Sequence, residues 1–343
     1  MKRQLPIVLV IVTIFFASTG YGSRREHVIS GKTMGTTYHI KMVTGVLGST
    51  AGIKDKIDKR LLEINQSMST YIKDSEISRF NAFERVGEPF AISEDFWKVI
   101  RVGQQLYELT QGAWDATVNP LVNRWGFGAA GKRGTFPTRK EIENLLQDVG
   151  FKNIELSADR YLVKHKASVS LDLGSIAKGY AVDEVARLIR ENDIDHFLVE
   201  IGGEVLTSGL RIDGSPWRVG INTPRIDAPL NQVYRIVKLS NMALATSGNY
   251  RNYFIRDGIR YSHILDPRSG YPVANGVVSA SVIADSCTFA DGLATALVVL
   301  GPDKGIALVD RLAAVECMIV RENKDGSLRD YESKGFFFFT AEP

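Results

Sequence analysis

One short run, Asp172 to Tyr180, combines several residues that could carry chemistry. The run overlaps the end of a strand predicted over about 169–173, which begins with the apolar segment 169–171. A helix is predicted after it, over about 176–192. A helix N-terminus offers unpaired N–H groups and a positive potential that suit a phosphate. Lys178 in the first turn would add a positive charge, and Asp172 could accept a hydrogen bond from a ligand. An ordinary capped helix with a solvated lysine explains the run equally well.

A second run places an acidic residue and a hydroxyl on an apolar helix predicted over about 288–300. Asp291 and Thr295 are four residues apart, so they share one helix face. A carboxylate on a mostly buried helix is costly unless it is paired. A hard cation held by carboxylate, hydroxyl and carbonyl oxygens would pair it. The alternative is a carboxylate hydrogen-bonded to backbone groups in the core.

Other candidate residues are more isolated along the chain. His263 lies where a predicted strand enters an Asp-Pro turn, and it could act as a general acid or base, although a lone histidine is more often structural. Tyr71 or Trp114 could stack on a flat ring, and Asp115 could pair with a base edge, although such residues usually pack a core. The glycines of the run 200–204 permit close backbone approach to a ligand, or merely a bulge.

The elements that position these residues change in character along the chain. Helical spacing of apolar residues marks 53–68 and 96–107, and Thr138 with Glu141 forms a capping-box pattern. Further strands are predicted near 34–43, 160–164, 197–201, 217–221, 234–239, 260–265 and 279–284. Helices early and strands later indicate an α+β fold, with a soft lobe boundary near residue 150.

Composition excludes some classes of protein. The 343 residues are 44% hydrophobic and 24% charged, as in soluble globular proteins. The net charge of +3 comes from scattered lysines and arginines, which argues against a nucleic-acid binder. The two cysteines, Cys287 and Cys317, form no zinc or redox motif. Whether they pair in a disulfide stays open at this point.

The N-terminus resembles an export signal. Lys2 and Arg3 precede an apolar run from Leu5 to Phe16, and small residues follow. The apolar run is shorter than the roughly 20 residues that a spanning helix needs. We therefore expect residues 1–22 to be a secretory signal and the protein to be periplasmic, with an uncleaved anchor in the inner membrane as the alternative.

Taken together and in this order, the runs resemble the ApbE family of FAD:protein FMN transferases. The matching stretches are Met34–Thr36, Ser69–Tyr71, Asp74–Ser78, Asp115–Thr117, Trp125–Gly128, Asp172–Gly179, Gly202–Glu204, Thr246–Gly248, His263–Pro272 and Ala290–Thr295. The resemblance implies one flavin transferase domain over 23–343, with mixed or antiparallel sheets, flanking helices and an active site between two lobes. It also implies a Mg²⁺-dependent enzyme that uses FAD, releases AMP and attaches FMN to a threonine or serine of an acceptor protein. Acceptors of such enzymes are typically membrane redox subunits of NADH:quinone reductase or Rnf complexes.

The resemblance also assigns roles to individual residues. Those implied to hold the metal are Asp291, Thr295 and the backbone carbonyl of Ser175. Those implied to line the FAD site are Met34, Tyr71, Ala113, Trp114, Asp115, Asp172, Lys178 and Ile264. His263 is implied to activate the acceptor hydroxyl. Two other functions remain open: an exported FAD pyrophosphatase that yields FMN and AMP, and a flavin-binding protein without catalysis.

Overall fold

The computed structural model describes residues 24–129, 131, 135–229, 232–250, 252–256 and 259–340. The predicted signal segment at 1–22 lies outside these residues. The helices are α1 (Ile53–Met68), α2 (Glu76–Asn81), α3 (Glu94–Leu109), α4 (Asn119–Trp125), α5 (Arg139–Leu145), α6 (Ala177–Arg190) and α7 (Cys287–Val309). Short 3-10 turns cover Ala116–Val118, Leu146–Asp148, Phe151–Asn153 and Phe336–Phe339.

The strands dominate the second half of the chain. They are β1 (Arg24–Thr33), β2 (Thr36–Gly45), β3 (Pro89–Ala91), β4 (Ile154–Leu156), β5 (Tyr161–Lys164), β6 (His196–Ile201), β7 (Glu204–Ser208), β8 (Trp217–Asn222), β9 (Val233–Leu239), β10 (Ala243–Gly248), β11 (Tyr253–Arg256), β12 (Ile259–Ser262), β13 (Leu265–Asp266), β14 (Tyr271–Pro272), β15 (Val277–Ala284), β16 (Glu316–Glu322) and β17 (Leu328–Glu332). With the helices, they confirm the predicted α+β class.

An antiparallel sheet of eight strands, in the order β1-β2-β6-β7-β10-β15-β16-β17, organises the molecule. Side chains alternate between its two faces. On β16, Cys317 and Ile319 join the main core beneath the helices, whereas Met318 and Val320 join a second core with β8 and β9. Both faces are therefore buried, and the helices that carry the predicted site lie on one of them.

Helix α7 is the centre of the main core. Its residues are apolar on nearly all sides, which is typical of a helix surrounded by protein. It is long and apolar enough to cross a membrane, with a mean hydropathy of 1.5, but 67% of that apolar window is buried inside the protein. A bend at Gly301, where φ is 77°, precedes Pro302. We conclude that α7 serves as a core helix, packed on β10, β15 and β16.

A third, aromatic core supports the β11–β12 hairpin. Phe254 stacks on Phe127 with ring centroids 5.1 Å apart, and Tyr261 stacks on Trp125 at 5.8 Å. In the described part of the chain this two-stranded sheet pairs with no further strand. The β11–β12 hairpin is therefore attached to the rest of the protein mainly by side-chain packing.

Several predicted elements needed correction. The strand predicted from residue 34 begins at Thr36, because Met34 and Gly35 form the turn between β1 and β2. The segment 169–173 is not a strand, since the Asn81 side chain takes the place of a partner strand by bonding both the N–H and the carbonyl of Leu171, at 2.7 and 2.9 Å.

The fold answers the open question of the two cysteines. Cys287 and Cys317 are free and buried, so they do not pair. The main core contains residues from both sides of residue 150, such as Phe96 and Val182. The lobe boundary near residue 150 stays a prediction.

Candidate functional site

The site is built around the crossing of α6 and α7. A Cβ on Gly179 would lie 2.3 Å from the Cys287 carbonyl oxygen, so only glycine allows the two helices to approach this closely. The helices also cap each other. The Asp183 carboxylate on α6 accepts hydrogen bonds from the N–H groups of Cys287 and Thr288 on α7, each at 2.9 Å. These contacts to the backbone fix the position of α6 relative to α7.

Asp291 on α7 makes the reciprocal contact. Its Oδ2 accepts the N–H of Gly179 at 2.9 Å, which satisfies one of the unpaired donors at the start of α6. The side chain is almost fully buried. Of the two interpretations of Asp291, the backbone hydrogen bond is therefore present. It occupies only one carboxylate oxygen, and Oδ1 faces the Lys178 ammonium at 3.8 Å.

Lys178 is paired with a carboxylate, although 28% of its side chain is exposed. Its Nζ lies 2.6 Å from Oε1 of Glu204, the first residue of β7. Burial lowers the pKa of Lys178, but the negative charges of Asp291 and Glu204 outweigh this and raise the pKa well above its usual range. Burial, together with the charge of Asp291, raises the pKa of Glu204, and the Lys178 ammonium opposes this shift. We call Lys178, Gly179, Glu204 and Asp291 the α6–α7 junction.

The other predicted metal-binding residues adjoin the junction. Thr295, one turn beyond Asp291, has its Oγ1 2.8 Å from the Ser247 hydroxyl. Ser175 precedes α6, and its hydroxyl accepts the indole N–H of Trp114 at 3.0 Å. Within the described residues, no three His, Cys, Asp or Glu side chains cluster as a metal site. One carboxylate with hydroxyl and carbonyl oxygens nevertheless fits Mg²⁺, which commonly binds one or two carboxylates together with substrate phosphates.

The segment Ala113–Asp115 lies beside the junction and is almost completely buried. Trp114 packs the main core, and its Nε1 lies 3.4 Å from the position that a Cβ on Gly292 would take. Asp115 accepts hydrogen bonds from the N–H and the hydroxyl of Thr117, at 2.8 and 2.7 Å. Burial raises the pKa of Asp115 to about 6, because these two bonds compensate only partly for the loss of water.

Asp172 is anchored by its backbone to Ala116, the residue that follows this segment. Its N–H donates to the Ala116 carbonyl at 2.7 Å, and its carboxylate accepts the Gly174 N–H, also at 2.7 Å. Burial raises the pKa of Asp172, and the Gly174 hydrogen bond opposes that shift. The residue thus shapes the loop that leads into α6.

His263 approaches from the hairpin side. Its Nδ1 lies 2.9 Å from the Asn252 carbonyl, which can only accept, so Nδ1 carries the hydrogen. Burial lowers the pKa of His263, and the charge of Lys178 acts in the same direction. In the neutral ring, Nε2 is then left with its lone pair free.

The remaining predicted FAD residues differ in burial and in position. Ile264 is buried next to His263, and Met34 forms the β1–β2 turn with a positive φ of 48°. Two residues after Met34, Thr36 meets Gly202 of the β6–β7 turn. Tyr71 is 72% exposed, and among the described residues no other aromatic ring stacks on it. A contact between Tyr71 and FAD stays a prediction.

The structure brings Lys178 together with Asp291 and Ser175 together with Trp114, and it adds Glu204, for which the sequence indicates no role. Its position after two glycines was visible in the sequence, but nothing there indicated that it pairs with Lys178. The pairing depends on β7 packing beside α6, a contact between elements that sequence spacing does not reveal.

Comparisons with known proteins agree with this architecture. A family model, the ApbE family, matches residues 34–319. Among curated proteins, the chain is 43% identical over 316 residues to the FAD:protein FMN transferase of Vibrio cholerae serotype O1, covering 92% of each chain. It is 39% identical over 326 residues to the FAD:protein FMN transferase of Haemophilus influenzae, covering 94% of each.

Solved structures give the same result. The flavin transferase ApbE from Vibrio cholerae is similar with a TM-score of 0.84 and 40% identity, over 92% of this chain and 99% of that one. The apo form of Pseudomonas stutzeri flavinyl transferase ApbE is similar with a TM-score of 0.84 and 36% identity, over 94% of this chain and 99% of that one. The chain therefore belongs to the ApbE family.

Proposed function

We propose that this protein is an FAD:protein FMN transferase, which moves FMN from FAD to a threonine or serine hydroxyl of an acceptor protein and releases AMP. Family membership supports the reaction class. The observation that carries the proposal within the structure is the α6–α7 junction. It places a lysine, a buried aspartate and a helix N-terminus together. His263, whose Nε2 keeps a lone pair in the neutral tautomer, supplies a candidate base.

The α6–α7 junction suits the pyrophosphate of FAD. The N-terminus of α6 carries a positive potential, although Asp291 accepts the Gly179 N–H and the Ala177 N–H bonds the Leu173 carbonyl. Lys178 supplies a further positive charge. Asp291, Thr295 and the Ser175 carbonyl would hold Mg²⁺. When bound, Mg²⁺ supplies Lewis-acid stabilisation of negative charge on the phosphates. These groups are fixed before substrate arrives, which is the condition for efficient electrostatic stabilisation.

His263 suits the acceptor side of the reaction. Its free Nε2 can take the proton from the acceptor hydroxyl as the hydroxyl oxygen attacks the phosphorus of the FMN half. A phosphorus–oxygen bond to the FMN half then forms, and the bond from that phosphorus to the oxygen that leaves with AMP breaks. The lowered pKa of His263 keeps the ring neutral and able to accept this proton near pH 7.

The partner and the compartment are further proposals. We propose that the acceptor is a subunit of a membrane redox complex of the NADH:quinone reductase or Rnf type, as in the resemblance described above. The apolar run Leu5–Phe16 supports export to the periplasm, either as a cleaved signal or as an anchor in the inner membrane.

The test is an incubation of the purified protein with FAD, Mg²⁺ and an acceptor domain carrying a target threonine. Flavin fluorescence of the acceptor in a denaturing gel and AMP release are measured together. We expect a fluorescent acceptor band that requires Mg²⁺ and is accompanied by AMP. Free FMN and AMP with no labelled acceptor would indicate a pyrophosphatase, and intact FAD throughout would indicate a binding protein.

A further inference from the structure

Glu204 is a buried carboxylate that the proposed reaction does not use. Its side chain is 3% exposed, and Oε1 lies 2.6 Å from the Lys178 ammonium. Its other oxygen, Oε2, is buried without a hydrogen-bond partner among the described residues. A buried carboxylate with an unsatisfied oxygen is costly, so its presence calls for a specific reason.

The geometry of Lys178 supplies one. The ammonium lies between two carboxylates, close to Glu204 and farther from Asp291, at 2.6 and 3.8 Å. The Lys178 stem is confined as well, since a Cβ on Gly202 would stand 3.3 Å from its Cδ. Without the Glu204 acceptor, attraction to Asp291 would draw the ammonium onto Oδ1.

That movement would disable two groups at once. Oδ1 is the Asp291 oxygen not taken by the Gly179 N–H, and it is the one left to bind a cation. A direct Lys178–Asp291 pair would occupy this oxygen and would also turn the ammonium away from a phosphate. We propose that Glu204 is a positioning residue: it holds Lys178 off Asp291, so that the lysine stays available to phosphate and the aspartate to the metal.

The inference rests on the proposed function only in taking FAD and Mg²⁺ as ligands, and it is tested by binding. Glu204→Gln keeps an acceptor oxygen for Lys178, whereas Glu204→Met has a similar size and offers none. FAD affinity is measured by flavin fluorescence at several Mg²⁺ concentrations. We expect Glu204→Met to lower FAD affinity about 10-fold and to reduce the gain in affinity that Mg²⁺ provides. Glu204→Gln should keep an FAD affinity within about 3-fold of that of the unmodified protein. Thermal denaturation confirms that both variants fold.

A second background shows whether Glu204 acts through Lys178. In Lys178→Ala, replacing Glu204 by Met should change FAD affinity by less than about 2-fold, because the group being positioned is gone. An equal loss in both backgrounds, an unchanged affinity in Glu204→Met, or a loss in Glu204→Gln as large as in Glu204→Met would overturn the inference. Flavin transfer to the acceptor is scored separately: binding effects as expected without transfer would contradict the proposed function and leave this inference intact.

Discussion

The α6–α7 junction and the His263 region hold their reactive groups in different ways. At the junction, helices that cap each other through Asp183 and Asp291 fix the charged groups in the main core. His263 instead follows a two-stranded hairpin that is supported by aromatic stacking and by the Asn252 carbonyl. The contrast suggests a division of labour: preorganised electrostatics for the phosphates, and a less tightly bound element where a protein substrate must enter.

The largest expected effect comes from breaking the junction at Asp291. Asp291→Asn keeps an oxygen for the Gly179 N–H but loses the charge, so we expect AMP release and flavin transfer to fall together by roughly 100-fold or more. The thermal stability of Asp291→Asn should stay close to that of the unmodified protein. Initial rates and a melting curve measure the two quantities. Substantial activity in Asp291→Asn would show that the carboxylate charge is not needed.

A change on the hairpin side should separate binding from chemistry. We expect His263→Ala to lower flavin transfer by about 100-fold, the usual contribution of a general base, while FAD affinity changes little. Transfer rates and flavin fluorescence titrations measure the two effects. If FAD affinity fell as steeply as the rate, His263 would belong to the FAD site and not to the acceptor side.

The pH dependence of transfer provides a related test. Burial and the charge of Lys178 lower the pKa of His263 from its ordinary 6.5, so the base stays neutral to a lower pH than a solvated histidine. The transfer rate at saturating FAD should therefore decline on the acid side with a midpoint below 6.5. An acid limb centred clearly above that value would contradict the assigned environment of His263.

A smaller effect is expected on stability at Asp115, beside the junction. Its pKa rises from 3.8 unfolded to about 6 folded, so the folded state binds a proton more tightly. As pH rises from 4 to 7, the protein should lose roughly 2.4 kcal/mol of unfolding free energy relative to Asp115→Asn. Urea unfolding of both proteins without FAD measures this difference. A difference that is constant between pH 4 and pH 7 would exclude the shift.

The smallest effect is expected at Tyr71, which belongs to neither region. Because its ring is 72% exposed, Tyr71→Ser should leave the unfolding free energy within about 0.5 kcal/mol of the unmodified value. If the ring stacks on FAD, affinity should nevertheless fall about 10-fold, as for other base–aromatic stacking. Equal affinity of the two proteins in fluorescence titrations would remove Tyr71 from the FAD site.

Local signals in the sequence predicted more than long-range ones. Apolar spacing predicted α1 with its buried face, and the Thr138–Glu141 capping box marked the start of α5 correctly. The segment 169–173 was misread because apolar periodicity cannot show that the Asn81 side chain, and not a strand, satisfies its backbone.

The candidate site shows the same limit. Asp291 and Lys178 were identified from residue type, helix position and family resemblance, but their 3.8 Å separation depends on the crossing of α6 and α7. Gly179 permits this crossing, but the sequence alone does not show which helix approaches it. Glu204 was passed over for the same reason, because its partner is 26 positions earlier in the chain and on another element.

The measurement that tests the account most directly compares an acceptor domain carrying its target threonine with the same domain changed to valine at that position. AMP and FMN-labelled acceptor peptide are quantified by mass spectrometry in one reaction with FAD and Mg²⁺. The account predicts equal amounts of AMP and labelled peptide with the threonine acceptor, and loss of both with valine. AMP release that continues undiminished with the valine acceptor, with FMN free in solution, would contradict transfer to a protein hydroxyl as the function of this site.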